Sequence, residues 1–209
     1  MPGRARAPLG AVLMANQQAQ FGFKHIGYLS GGAPDFQLQT RAIQSTNATK
    51  IGVGDPVFKT AGTNYIVQAT GTAAGTPIVG IYQGCQYIPS GGGAPVPGTY
   101  WPGAAAQDAT GYIINAPNAL FLVACLQTAI VTANIGANVG FTTGTPSTTG
   151  AGYSIATVDQ STLTTNANYP FQVVSLYNGI GNGSDPTTNY NWVVVSFQNQ
   201  MFRNTTGEN

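Results

Sequence analysis

The chain has 209 residues, 43% of them hydrophobic and 10% aromatic, and only 6% charged against roughly 25% in an average soluble chain. Seven Lys and Arg against six Asp and Glu leave a net charge of +1, so no field gathers phosphate backbones or anionic headgroups, and nucleic acid and membrane surfaces are poor candidate partners. So much apolar surface argues against disorder, and the weak charge repulsion favours association with further copies or a partner.

The start, "MPGRARAPLGAVLMANQQAQ", imitates a signal peptide, but its apolar run is short and interrupted by Pro8 and Gly10. No stretch approaches the roughly 20 apolar residues of a spanning helix, so the expectation is a soluble chain. Next comes "FGFKHIGYL", an extended segment holding His25, the single histidine and a structural residue on this reading. "FQLQTRAI" alternates apolar Phe36 and Leu38 with Gln37, Gln39 and Arg41, a strand with one wet face.

In "GVGDPVFKTAG", Asp55 precedes Pro56 and reads as a turn-starting residue at a strand corner, with Lys59 exposed on that strand. "DPVFKT" and "NYIVQAT" form a hairpin with Gly62 at its tip. "TPIVGIYQGCQYI" is the longest strand candidate of the first half, and Gly80 and Gly84 mark bulges or close backbone approaches. Further strands follow in "GYIIN", "NALFLVACLQT", "YSIATV", "FQVVSLY" and "WVVVSFQNQMF", while "TAIVTANIGANVG" supports no more than one or two helical turns. Three long, small-residue-rich loops separate them: residues 89–98, residues 142–152 and "NGIGNGSDPTTNYN". The expected fold is therefore an all-β sandwich or barrel forming one domain.

Candidate chemistry is thin. Cys85 and Cys125 each sit in an apolar strand-like run and read as buried free thiols rather than a disulfide. The acids Asp35, Asp55, Asp108, Asp159, Asp185 and Glu208 are dispersed. A glycosidase needs two carboxylates about 5 to 10 Å apart, which sequence does not exclude, but Asp35, Asp55 and Asp185 flank prolines as turn residues do. "IGVG" and "GIGNG" lack the spacing of a phosphate loop. No catalytic residue, metal site or cofactor is expected.

In order, "MANQQAQFGFKHIGYLSGG", "GDPVFK", "IVGIYQGCQYI", "TYWPG", "GYIINAPNALFLVAC", "VTANIGANVGF", "STTGAGYSIAT", "YPFQVVSLYNG" and "NWVVVSFQNQMFR" resemble the capsid decoration (cement) proteins of tailed bacteriophages over roughly the whole chain from Met14 to Arg203. The resemblance implies a jelly-roll-like β-sandwich that forms a homotrimer on the outer capsid surface of the virion. It would bind the major capsid protein at threefold and quasi-threefold positions, stabilising the shell without catalysis.

On this reading residues 1–20 are an extended arm and residues 21–209 the sandwich. Phe21 and Phe23 are candidate shell contacts, with ordinary core packing as the competing account. Tyr100 and Trp101 are candidate interface residues, and Trp192 is expected inside the sandwich. The competing function is a host-surface glycan-binding module, stacking sugars on loop aromatics that include Tyr100, Trp101, Tyr153 and Tyr190. A glycan-cleaving enzyme is the third.

Overall fold

The computed structural model describes residues 15–35, 37–71, 75–147 and 152–203. The chain is an all-β sandwich of two antiparallel sheets. One runs β1 (Lys24–Tyr28), β8 (Ala119–Ala124), β12 (Trp192–Phe197), β11 (Phe171–Leu176), β9 (Asn138–Thr142) and β10 (Thr157–Thr164). The other runs β2 (Gln39–Ile43), β7 (Ala109–Ile114), β5 (Gly80–Tyr87), β3 (Pro56–Lys59) and β4 (Ile66–Gln68), with β6 (Val96–Gly98) paired to β5.

Side-chain alternation sorts the apolar residues into two cores. Between the sheets, Phe23, Phe121, Phe141, Phe171 and Phe197 pack with Val123, Val193 and Val195 from the first sheet and Ile81 and Ile114 from the second. Their rings interlock, Phe23 stacking on Phe171 at 4.4 Å and meeting Phe141 edge-on at 6.2 Å. The opposite face of the second sheet carries Ile43, Val57, Ile66, Tyr82, Cys85 and Ile113, and is roofed by Ile51 and Trp101 from loops. Strands β5 and β7 are thus buried on both faces, which is why "IVGIY" and "GYII" read as continuous apolar runs instead of alternating.

The hairpin of β3 and β4 forms as expected, with Gly62 at its tip. Gly84, at φ +143, sits where the β5–β7 register slips and makes the bulge. A Cβ on Gly80 would lie 2.5 Å from the Ile114 carbonyl, so that position is a close backbone approach. The segment 128–140 contains a single 3-10 turn, Thr132–Asn134, before β9. Both cysteines are free and buried, Cys125 between the sheets and Cys85 in the roofed core.

Three strand expectations are corrected. Strand β2 starts only at Gln39, and Leu38, placed on its dry side from sequence, is exposed. Instead Ile43 carries the strand into the roofed core; Phe36 lies outside the described residues. Around "YSIATV" the regular strand is β10, which begins at Thr157 and continues through polar Asp159, Gln160 and Ser161 at a sheet edge, where water satisfies such side chains. Three residues of the loop 89–98 pair with β5 as β6.

Candidate functional site

A groove of about 440 Å³ opens where the N-terminal segment enters β1. Phe21, Val53, Leu122, Tyr153 and Trp192 supply its apolar walls, with Lys24 and Gln83 at its margin. Trp192 opens β12 opposite Ala124, its backbone N–H donating to Gly183 O at 2.9 Å and its carbonyl accepting from Tyr177 N at 3.0 Å. The indole lies against Gly183 so closely that a Cβ there has no room. Phe21 meets it edge-on at 5.0 Å and Tyr177 tilts over it at 5.2 Å. The indole Nε1 is buried without a hydrogen-bond partner.

Two polar constructions hold the walls. Asp55 is fully buried and accepts hydrogen bonds from Gly52 N at 2.7 Å, from Gln68 Nε2 at 2.8 Å and from the Ser154 hydroxyl. Burial pushes its carboxyl up to about 6, against the opposing pull of those three hydrogen bonds. The bond to Gly52 is the turn chemistry expected of Asp55; the reach to Gln68 and Ser154 is not readable from sequence. Together these bonds tie the 52–55 turn to the segment carrying Tyr153, which also bridges Val53.

The second construction fixes the incoming chain. Asn16 Oδ1 accepts from Gly183 N at 2.9 Å and its Nδ2 donates to Asp185 O at 2.7 Å, while Asn182 accepts from Gln17 N at 2.6 Å and donates to Gln17 O at 3.0 Å. The arm drawn over residues 1–20 is therefore docked on the chain's own 182–188 loop at residues 16 and 17; residues 1–14 lie outside the described residues.

The groove brings together Phe21 and Tyr153 of the expected residues, and Tyr153 is 56% exposed at its lip. Phe23 is corrected: although its edge reaches the groove, it is 1% exposed at the centre of the aromatic core, because the chain alternates sides at the entry to β1. Trp101 is corrected as well. It is 0% exposed in the roofed core, its Nε1 donating to Asn47 O at 2.8 Å. Trp192, expected inside, is a half-buried wall of the groove. Tyr100 is half-buried against Gly152, and Tyr190 is half-buried in its loop with φ 61, outside the groove lining.

Sequence reasoning missed Leu122 and Val53. A signal for Leu122 was present. On β8 and β12 the outward positions Leu120, Leu122, Val194 and Trp192 are apolar, as the unbroken runs "ALFLVA" and "WVVV" record, while the outward Ser196 opposite Leu120 is polar. Val194 and the polar Ser196 on this face are already covered, at 9% and 1% exposed, while Leu120 and Leu122 are half-buried, Leu122 at the groove.

The other acids among the described residues are hydrogen-bonded, and Glu208 lies outside the described residues. Asp35 accepts from Tyr28, Asp108 from Tyr65 Oη at 2.5 Å and Ser45 N at 2.9 Å, Asp159 from Ser161 N at 3.0 Å, and Asp185 from Thr187 N at 2.8 Å. Hydrogen bonding holds the Asp35, Asp108 and Asp185 carboxyls below the usual range. His25 is buried, its Nε2 on Gly27 O at 3.0 Å and its ring against Tyr28 and Phe121. Among the described residues no cluster of three or more His, Cys, Asp or Glu could hold a metal ion, and no helix is long and apolar enough to cross a membrane.

The fold and groove define an all-β sandwich with an apolar recess at one sheet. No family model matches the chain, and no curated protein or solved structure is significantly similar to it.

Proposed function

We propose that this chain is a non-catalytic assembly protein: a homotrimeric cement protein that binds the major capsid protein on the outside of an icosahedral shell, at threefold and quasi-threefold positions. The observation carrying this reading is the apolar Phe21–Trp192 groove, lined by half-buried Leu122 with half-buried Leu120 on the same face of β8, on a nearly chargeless chain. An apolar surface of this kind gains free energy when another surface covers it, and little electrostatic repulsion opposes the approach. The order of sequence motifs supports the phage assignment. A clamp that binds only the assembled shell stabilises it by mass action, and three modest contacts on one rigid trimer act at high effective concentration.

Light scattering and binding to emptied heads test the proposal. The native chain should size as a trimer and bind. Leu122→Lys, which changes an outward position and leaves both cores untouched, should yield folded monomers that do not bind. A native chain that stays monomeric and ignores emptied heads overturns the assignment.

The open ring of Tyr153 at the groove lip favours a second reading, a displayed glycan-binding module. Particles lacking the protein separate the two. Early genome leakage on heating with normal adsorption supports the clamp; normal heat resistance with poor adsorption supports adhesion.

A further inference from the structure

A second opening, of about 220 Å³, lies at the rim of the roofed core on the other sheet. Arg41 comes from β2 and Lys59 from β3, strands that are not neighbours in the sheet order. The sheet curls to bring them together, Ala42 of β2 bridging Tyr65 at the start of β4. Ile66 and Val79, both 1% exposed, form an apolar floor, and Phe202 forms a wall. That wall is anchored: Met201 N donates to Ile78 O at 3.0 Å, and the buried Gln200 amide donates to Val79 O at 3.2 Å and Asn115 O at 3.0 Å.

We propose that this pocket binds a small carboxylate carried on an apolar body. The Arg41 guanidinium is held 5.4 Å from the Phe202 ring centroid and donates to Thr40 O at 2.9 Å and Gln39 Oε1 at 3.3 Å, all uncharged partners. A guanidinium has five N–H donors in a planar fork, so donors remain for a carboxylate, and Lys59 lines the same opening. The chain has only seven Lys and Arg in all, and two of them meet at this one rim. Inorganic phosphate would satisfy the cations but leave the Phe202 ring, 48% exposed, uncovered; a hydrocarbon or aromatic body packs against it. This site is separate from the Phe21–Trp192 groove, so it stands or falls independently of the assembly proposal.

The test is titration of the full chain with benzoate, followed by amide chemical shifts, with benzamide and inorganic phosphate in parallel. Benzoate should move the amides of Arg41, Lys59, Ile66 and Phe202, and benzamide should bind about tenfold more weakly or worse. Arg41→Gln and Lys59→Gln should each lower benzoate affinity about tenfold with the thermal midpoint unchanged, and Lys59→Arg should restore binding. Should Arg41→Gln fail to fold, the Lys59 pair of variants carries the test. Equal binding of benzamide, phosphate matching benzoate at the same amides (an adventitious ion only), or unchanged affinity in Lys59→Gln overturns the proposal.

Discussion

The Ser154 hydroxyl donates to the Asp55 carboxylate across 99 residues of chain, and both residues are fully buried. The three groups binding that carboxylate are Gly52 N–H, Gln68 amide and Ser154 hydroxyl, none of them cationic, and its titratable neighbour Tyr82 is itself held neutral by burial. Charge at Asp55 is thus stabilised by dipoles alone.

The consequence is a pH dependence of stability. In the folded chain the Asp55 carboxyl titrates at about 6, above its ordinary 3.8, so the folded state holds the proton more tightly than the unfolded one. The associated stabilisation is fully present below about pH 4 and is lost as pH rises through 6. The shift of roughly 2 units corresponds to roughly 3 kcal/mol. Asp35, Asp108 and Asp185, held low, act in the opposite sense as pH falls below the ordinary carboxylate range, and buried His25, held by desolvation below its ordinary 6.5, opposes the Asp55 contribution within the same window. The urea midpoint of the native chain should therefore gain on that of Asp55→Asn between pH 7.5 and pH 5, since His25 is common to both. A variant with the native slope removes Asp55 as a source of pH dependence. Asp55→Ala, which strands three buried donors, should cost about 3 kcal/mol or more at any pH.

The Asn16 clamp makes a second prediction. Asn16→Ala removes the acceptor for Gly183 N and the donor to Asp185 O, so amide exchange over residues 15–20 and 182–188 should accelerate while global stability falls by about 1 to 2 kcal/mol. Deletion of residues 1–14 preserves the clamp and should leave exchange in 182–188 native. If shell contact passes through the amino terminus, this deletion lowers capsid occupancy without disturbing the groove.

Much of the fold was legible because the strands carry β-branched and aromatic residues between turn residues: the hairpin around Gly62 and the bulge at Gly84 follow from local chemistry. Strand β10 and the face of β2 were not, since Asp159 and Gln160 satisfy edge positions that no apolar alternation marks. The two tryptophans show the same limit at the site. Trp101 lies in a glycine- and proline-flanked loop that folds back as a roof over one core, whereas Trp192 begins an apolar strand yet points outward. Which face of a strand receives a roof depends on loops far away in sequence, as the Asp55 contacts with Gln68 and Ser154 also do.

Thiol chemistry offers a check on the two-core arrangement. Burial pushes the Cys125 thiol up to about 12 and raises that of Cys85, whose Sγ also lies 3.6 Å from Tyr100 O. Neither forms the reactive thiolate at neutral pH. A disulfide reagent should label no thiol in the native chain and two after denaturation. Rapid native labelling of Cys85 alone would mean that the roof formed by Ile51 and Trp101 opens readily, and would contradict a fixed second core.

Gly22 links the groove to the buried carboxylate. Its φ of +70 turns Phe21 toward Trp192 and Phe23 toward the core, and a Cβ at this position would lie 2.6 Å from Ser154 Cβ and 2.9 Å from Gly54 O. Neither neighbour yields easily, because Ser154 is hydrogen-bonded to Asp55 and Ala156 N, and Gly54 O accepts from Phe23 N at 2.9 Å. Gly22→Ala therefore combines left-handed backbone strain of about 1 kcal/mol with displacement of a buried polar contact. Its expected total is about 2 to 4 kcal/mol, read from urea unfolding. The decisive readout is coupling: in an Asp55→Asn background, where the contact with Ser154 is already altered, Gly22→Ala should cost measurably less than in the native chain. Equal costs in the two backgrounds would show that Gly22 serves only its own turn.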